Sequence, residues 1–151
     1  MTLPSTANDT MIKFGHPQSL VRDYGYWAVL LRPKQATLGA LVLVCKEEVQ
    51  AFSEISIEAF AELPLVVREI ETGLKAFKPY QKINYLMLMM VDREVHYHVL
   101  PRYDAPQVFA GETYQDPGWP ALPELTAGPL LEDAALDELV TALRAVWPTA
   151  A

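Results

Sequence analysis

The stretch from Glu94 to Arg102 constrains the fold most, since it reads Glu-Val-His-Tyr-His-Val-Leu-Pro-Arg and holds two of the three histidines. Polar and apolar residues alternate along it, and a period of two is typical of a β-strand with one face in the core. Glu94, His96 and His98 therefore share one face, spaced about 7 Å apart along the strand. Because Pro101 has no N–H to donate to a ladder, we expect the strand to end there.

The same residues resemble the signature of the histidine triad (HIT) superfamily of nucleotide hydrolases and transferases, in particular its fragile-histidine-triad branch. That signature reads His-x-His-x-His, often followed by Leu-Pro-Arg. Aligned on Leu-Pro-Arg, the middle histidine falls on His96, the third falls on His98, and Glu94 stands in place of the first. Weaker similarity of pattern extends over residues 14–103.

The resemblance implies that His96 attacks the α-phosphorus of a nucleotide and holds the nucleotidyl group until water or another acceptor takes it. His98 would donate a hydrogen bond to a phosphate oxygen or to the leaving group as charge develops there. Expected substrates are nucleoside phosphoramidates or dinucleoside polyphosphates, with no cofactor. Three further residues are candidates for substrate binding besides Glu94: Asn84, Arg102 and Arg32. The alternatives, which give these residues a purely structural role, are that the Asn84 side chain forms a hydrogen bond with a neighbouring backbone group and that Arg102 forms a surface ion pair.

Several residues depart from the family pattern. Glu94 sets a carboxylate beside the expected phosphates, where like charges repel, so Glu94→His or Glu94→Gln is expected to tighten nucleotide binding. The alternative is a Glu94 already paired with Arg93 or Arg32. Ala40 stands where the family often has another histidine, and residues 91–93 lack its Gly-Gln. These changes leave open an altered substrate or a binding role.

Two other interpretations of the histidine strand stay open. In the first, His96 and His98 are partly buried polar residues with no chemical role. In the second, Glu94, His96 and His98 bind a metal, with His16 as a fourth ligand. Nothing else in the sequence completes a coordination sphere, so our prediction includes no metal. The alternative function is therefore a catalytically weak nucleotide-binding or metal-binding protein of the same fold.

Composition restricts the class of protein. With 151 residues, 51% of them hydrophobic and 21% charged, the chain is long enough for one globular domain. Its net charge of −7 opposes binding to polymeric nucleic acid or anionic lipid. The sequence contains no apolar run of the roughly 20 residues that would cross a membrane, and the polar start lacks the core of a signal peptide. Cys45 is alone, so no disulfide framework is expected. We therefore expect a cytoplasmic protein.

These patterns predict an α+β fold in which a bent antiparallel sheet of about five or six strands carries one long helix. We expect a flexible tail over residues 1–10 and a single domain over residues 11–151, with 104–151 as a C-terminal loop and helix extension. Strands are predicted at residues 11–15, 20–23, 26–32, 38–45 and 82–90, besides the histidine strand. The long helix follows Ser56, and its apolar stripe contains Phe60, Leu63, Val67, Ile70, Leu74 and Phe77. A second helix starts near Glu132. By resemblance to the family, the protein is expected to form a homodimer.

Residues 104–130 contain five prolines and little periodicity, which predicts a long ordered surface loop. We expect this loop to close over the histidine strand. Trp119 or Tyr114 would then stack on a nucleotide base, or would simply pack the loop onto the sheet.

Overall fold

The computed structural model describes residues 6–149. Its main sheet contains β1 (Leu20–Asp23), β2 (Trp27–Leu31), β3 (Leu41–Cys45), β4 (Lys82–Leu86) and β5 (His96–Arg102). All neighbours are antiparallel, and the spatial order β1-β2-β3-β5-β4 puts the histidine strand between β3 and β4. The helices are α1 (Asp9–Lys13), α2 (Ile57–Phe77) and α3 (Asp133–Val146). The predicted α+β class, the antiparallel sheet and the long helix are confirmed.

The main sheet is covered on both faces. On one face, Trp27, Val29 and Leu31 of β2 belong to a large apolar core that includes residues of α2 and α3. On the other face, Leu30 and Val42 pack with Met11 of α1. Every residue of β2 and β3 is buried, as expected of strands that read as near-continuous apolar runs.

The N-terminal segment differs from the prediction. Residues 11–15 were expected to be a strand, but α1 occupies Asp9–Lys13 because the Asn8 side chain caps the helix by accepting a hydrogen bond from the Met11 N–H. Asn8 and Thr10 are buried, so the expected flexible tail does not extend through residue 10. Residues 1–5 of that tail lie outside the described residues.

Helix α2 begins after Ser56, whose hydroxyl accepts from the Ala59 N–H at 3.1 Å. Of the predicted stripe, Ile70 and Leu74 are buried and Leu63 and Phe77 pack against the core, whereas Phe60 is exposed. Ala59, Val66 and Gly73, which lie outside the stripe, are buried too. Small residues decide this orientation. The Ala59 carbonyl accepts from the Trp27 indole at 2.8 Å, and a Cβ on Gly73 would lie 2.6 Å from the Trp147 ring.

The strands that flank the site also differ in length from the prediction. β4 ends at Leu86 instead of residue 90, and Met89 has a φ of +54°, which a strand does not allow. β5 continues through Pro101 to Arg102. β3 pairs with β5 only as far as Val99, so its ladder needs no N–H from Pro101.

The C-terminal extension has more regular structure than the sequence indicated. Within it, β6 (Gln107–Phe109) and β7 (Glu112–Tyr114) form a hairpin, and the turn residues Ala110 and Gly111 have positive φ. α3 begins directly after Glu132, as predicted. No helix among residues 6–149 is long and apolar enough to cross a membrane.

Candidate active site

His96 and His98 lie side by side on the sheet face that α1 covers. In the register of β3 and β5, His96 is opposite Val44 and His98 is opposite Val42, which confirms the predicted alternation. The two ring centroids are 5.2 Å apart, with planes at 80°. His96 is 2% exposed and His98 is 8% exposed, so the pair forms a largely buried site.

The tautomer of His96 is fixed by the backbone. Its Nδ1 lies 2.8 Å from the carbonyl oxygen of Glu94, and because a carbonyl only accepts, Nδ1 carries a proton. In the neutral ring, the lone pair is therefore on Nε2. A neutral imidazole held in this way is a nucleophile with a fixed direction.

His98 is kept neutral by its surroundings. Its pKa is lowered to about 4, mainly by burial and to a smaller extent by the positive charge of Arg32 and by the neighbouring His96, against an opposite effect of Asp92. Among residues 6–149, no hydrogen-bond partner reaches its buried Nδ1. At neutral pH, His98 therefore offers one N–H donor and one lone pair rather than a positive charge.

Arg32 supplies positive charge near the histidines. It follows β2, and its Nη1 donates to the carbonyl oxygens of Lys34 at 3.0 Å and Leu125 at 2.8 Å. Its Nε, like His98 Nδ1, is buried without a hydrogen-bond partner in the described part of the chain. Buried polar atoms without partners are uncommon, so these two atoms suit a polar ligand that would complete their hydrogen bonds.

Phe14 covers the two histidines from the N-terminal side. Its ring centroid is 6.0 Å from that of His96 and 5.9 Å from that of His98, with an edge-to-face arrangement at His98. Phe14 is the residue that directly follows α1. The placement of α1 thus decides what lies over the imidazoles.

The carboxylate of Glu94 is engaged with α1. Its Oε1 accepts from the backbone N–H and from the hydroxyl of Thr10, both at 3.0 Å, and the residue is 4% exposed. The alternative pairing with Arg93 or Arg32 is wrong, since Arg93 bonds Asp9 and Arg32 bonds carbonyl oxygens.

Asn84 and Arg102 form a separate cluster. Arg102 donates from Nε and Nη2 to the carboxylate of Asp116 at 2.7 and 3.1 Å, and from Nη1 to the Asn84 side-chain oxygen at 2.7 Å. The pair with Asp116 is buried, so the surface ion pair considered for Arg102 is wrong. Arg102 is four positions after His98 in β5, which is about 13 Å along a strand. Among the described residues, neither Arg102 nor Asn84 forms a hydrogen bond with the imidazoles.

A cleft of about 670 Å³ lies along β4, between that strand and residues of the C-terminal loop. Trp119 lines it, together with Arg102 and the segment from Pro120 to Pro123. Leu86, another lining residue, is opposite His98 in the β4–β5 register, so the cleft begins next to the histidines. Tyr114 is 6% exposed and belongs to the core, which is the packing role considered for it.

No protein-family model matches the chain, and no curated protein matches it. Solved structures do. A histidine triad protein from Sinorhizobium meliloti aligns with a TM-score of 0.68 and 21% identity, over 92% of this chain and 93% of that one. A histidine triad protein from Bradyrhizobium japonicum gives 0.69 and 18%, over 94% and 98%. A hypothetical histidine triad nucleotide-binding protein from Sulfolobus tokodaii gives 0.65 and 18%, over 91% and 88%.

The chain has the histidine triad fold. The likeness is one of fold, and each of these structures aligns with the chain over most of its own length. Within residues 6–149, no group of three histidine, cysteine, aspartate or glutamate side chains is placed to hold a metal. Burial raises the pKa of the Cys45 thiol to about 12, so this cysteine is unreactive at neutral pH.

Sequence reasoning missed three residues of this histidine triad fold. Thr10 and Phe14 were assigned to a tail and a strand, although Asn8 followed by Asp9 is a recognisable helix start. Asp116 gave no signal, because it lies in an aperiodic loop and its partner Arg102 is fourteen residues away.

Proposed function

We propose that this protein is a nucleotide hydrolase or nucleotidyl transferase of the fragile-histidine-triad type, acting through a covalent nucleotidyl group on His96. The observation that carries the proposal is the 2.8 Å hydrogen bond from His96 Nδ1 to the Glu94 carbonyl. That bond leaves Nε2 as the nucleophilic atom in the neutral ring. The histidine triad fold of the structural neighbours supports the same site.

In the first step, the Nε2 lone pair of His96 attacks the α-phosphorus. A bond from nitrogen to phosphorus forms, and the bond from phosphorus to the leaving amine or phosphate breaks. His98 is neutral at working pH, so its N–H donates a hydrogen bond to a phosphate oxygen or to the leaving group as negative charge develops there, and the proton stays on His98. A phosphate leaving group departs as the anion, and an amine departs as the neutral amine from its protonated phosphoramidate. In the second step, water attacks phosphorus and loses a proton to solvent, and the bond to His96 breaks to release a nucleoside monophosphate.

Arg32 and His98 would hold the phosphate. Each has a buried nitrogen without a protein partner, and a phosphate oxygen is an acceptor that both can use. In this proposal Arg102 and Asn84 do not touch the phosphate, because Arg102 already bonds both Asp116 and Asn84. Glu94 does not contact the phosphate either, because its carboxylate is held by Thr10.

Hydrolysis of adenosine 5′-phosphoramidate by two variants tests this proposal. His96→Ala and His98→Ala are matched, because each removes one buried imidazole from the same strand face. We expect His96→Ala to lose several orders of magnitude in rate and His98→Ala to lose roughly 10²–10³-fold, as for a lost transition-state donor. Equal losses in both variants, or activity retained in His96→Ala, would contradict the assignment.

We also propose that the protein is a homodimer whose sheets meet along β4. β4 is an edge strand of the sheet in the described part of the chain. The segment after it exposes the apolar side chains of Leu88, Met90 and Val91. An open strand edge beside exposed apolar groups is a surface that a second strand can extend. Light scattering should give twice the monomer mass of 16.9 kDa, and a monomer at all concentrations would overturn the proposal.

A further inference from the structure

Glu94 makes contacts in two directions from one position. Its side chain binds Thr10, and its Oε1 accepts both the backbone N–H and the hydroxyl of that residue at 3.0 Å. Its backbone N–H donates back to the Thr10 hydroxyl at 3.3 Å. Its carbonyl accepts from His96 Nδ1 at 2.8 Å. One residue therefore connects α1 to the proposed nucleophile.

The backbone that carries the Glu94 carbonyl is held in place by hydrogen bonds to neighbouring segments. Val95, between Glu94 and His96, donates its N–H to the Val49 carbonyl at 3.0 Å and accepts from the Cys45 N–H at 2.9 Å. The plane of the peptide group between Glu94 and Val95 is thereby fixed at its far end. A shift of the Glu94 side chain can be passed on to His96 only through the Glu94 backbone.

The attachment of α1 to the histidine strand depends more heavily on the Glu94 side chain. Two ion pairs also join α1 to this loop, Lys13 with Asp92 and Arg93 with Asp9, but one or both side chains of each pair are more than half exposed. Exposed ion pairs contribute little, because water competes for both charges. The bonds to Thr10 are buried, and without them the Thr10 N–H would be a buried donor with no partner.

Beyond Thr10, the same helix leads directly to the cover of the histidines. Met11 of α1 is 1% exposed and packs on the sheet face of His96. Phe14 follows the helix and contacts both imidazoles. Holding Thr10 in place therefore also holds Phe14 over the rings.

We propose that Glu94 is a positioning residue, whose carboxylate holds Thr10 and thereby keeps the Phe14 ring over His96 and His98. The inference rests on the proposed function of His96 and gives Glu94 a role other than phosphate binding. Repulsion of phosphate predicts that Glu94→Gln tightens nucleotide binding. Positioning predicts that Gln replaces Glu well, because its side-chain oxygen still accepts from Thr10.

The first experiment compares Glu94→Ala with Glu94→Gln in the full chain. The tautomer of His96 is measured by ¹⁵N NMR of the imidazole, and access to both rings by their rate of modification with diethyl pyrocarbonate. We expect modification to be faster by about 10-fold or more in Glu94→Ala, since a hydrogen bond to a charged group is lost. The His96 tautomer should stay the same, because the substitution keeps the backbone carbonyl that accepts from Nδ1. Glu94→Gln is expected to restore slow modification.

The second experiment makes the matched change on the helix. Thr10→Val keeps the shape of the side chain but removes the hydroxyl, whereas Thr10→Ser keeps the hydroxyl. We expect Thr10→Val to speed modification of the histidines and Thr10→Ser to leave it slow. In a double-mutant cycle, Thr10→Val should add little to Glu94→Ala if Glu94 acts through Thr10.

Two results would overturn the inference. One is slow modification of both histidines in a folded Glu94→Ala protein. The other is a Glu94→Gln protein that binds nucleoside monophosphate more tightly than the wild type. If Glu94→Ala fails to fold by circular dichroism, equal modification rates in Thr10→Val and Thr10→Ser would overturn it. None of these measurements needs turnover, so failure of the inference is distinct from failure of the proposed function.

Discussion

At the scale of single residues, the two histidines differ although they are neighbours on one strand. His96 has a backbone acceptor that fixes its proton on Nδ1, whereas His98 has no protein partner at Nδ1. Burial and the charge of Arg32 hold the pKa of His98 down to about 4. A nucleophile needs a fixed lone pair, and a donor to developing charge needs a proton at working pH, so both environments suit the proposed roles.

The low pKa of His98 predicts a pH dependence of stability. Between pH 6.5 and about 4, the unfolded chain protonates His98 and the folded protein does not, so the unfolded state binds more protons. The free energy of unfolding should therefore fall as pH decreases through that window, by on the order of 3 kcal/mol from this residue. Urea unfolding at several pH values would measure it.

His98→Gln is the control for this measurement, because glutamine does not titrate. The variant should lose less stability than the wild type between pH 6.5 and 4. Parallel pH profiles for the two proteins would show that His98 is not held neutral in the folded state.

At the scale of elements, the C-terminal loop is fastened to the histidine strand by a buried ion pair. Arg102 at the end of β5 binds the carboxylate of Asp116, which also accepts from the Tyr103 N–H at 3.2 Å. Both charged side chains are nearly fully buried, at 4% and 1% exposed. Loss of one partner would leave the other charge buried without compensation.

Asp116→Ala is therefore expected to lower the free energy of unfolding by about 3–5 kcal/mol. The matched control is Asp9→Ala, which removes an exposed partner from Arg93 and should cost less than about 1 kcal/mol. Chemical denaturation of both variants gives the comparison. Similar small losses would mean that the loop is held by its apolar contacts instead.

Elements with a local signal could be predicted from the sequence, and contacts between distant segments could not. The alternation around His96 and the hydroxyl of Ser56 before α2 are local, and both predictions are confirmed. The stripe predicted for α2 is confirmed at Ile70 and Leu74. It missed the buried Ala59 and Gly73, because Trp27 and Trp147 approach these small residues from elsewhere in the chain. Residues 11–15 were wrong because apolar content outweighed the cap of Asn8.

At the scale of the whole molecule, the site is assembled from segments that are far apart in sequence. Phe14 comes from the N-terminal helix region, Arg32 from the end of β2, and the histidines from β5. Arg32 is in turn held by the carbonyl oxygen of Leu125 in the C-terminal loop. The histidines were predictable because their motif is continuous. The bond between Thr10 and Glu94 spans 84 residues and left no pattern in the sequence.

The central claim is that His96 becomes covalently nucleotidylated, and a quenched reaction tests it most directly. Wild-type protein is mixed with adenosine 5′-phosphoramidate, stopped early without acid, digested and analysed by mass spectrometry. We expect an acid-labile adenylyl mass on the peptide that carries His96 and His98, absent in His96→Ala and formed slowly in His98→Ala. An adduct that persists in His96→Ala, or turnover by the wild type with no adduct on that peptide at any time, would show that His96 is not the nucleophile.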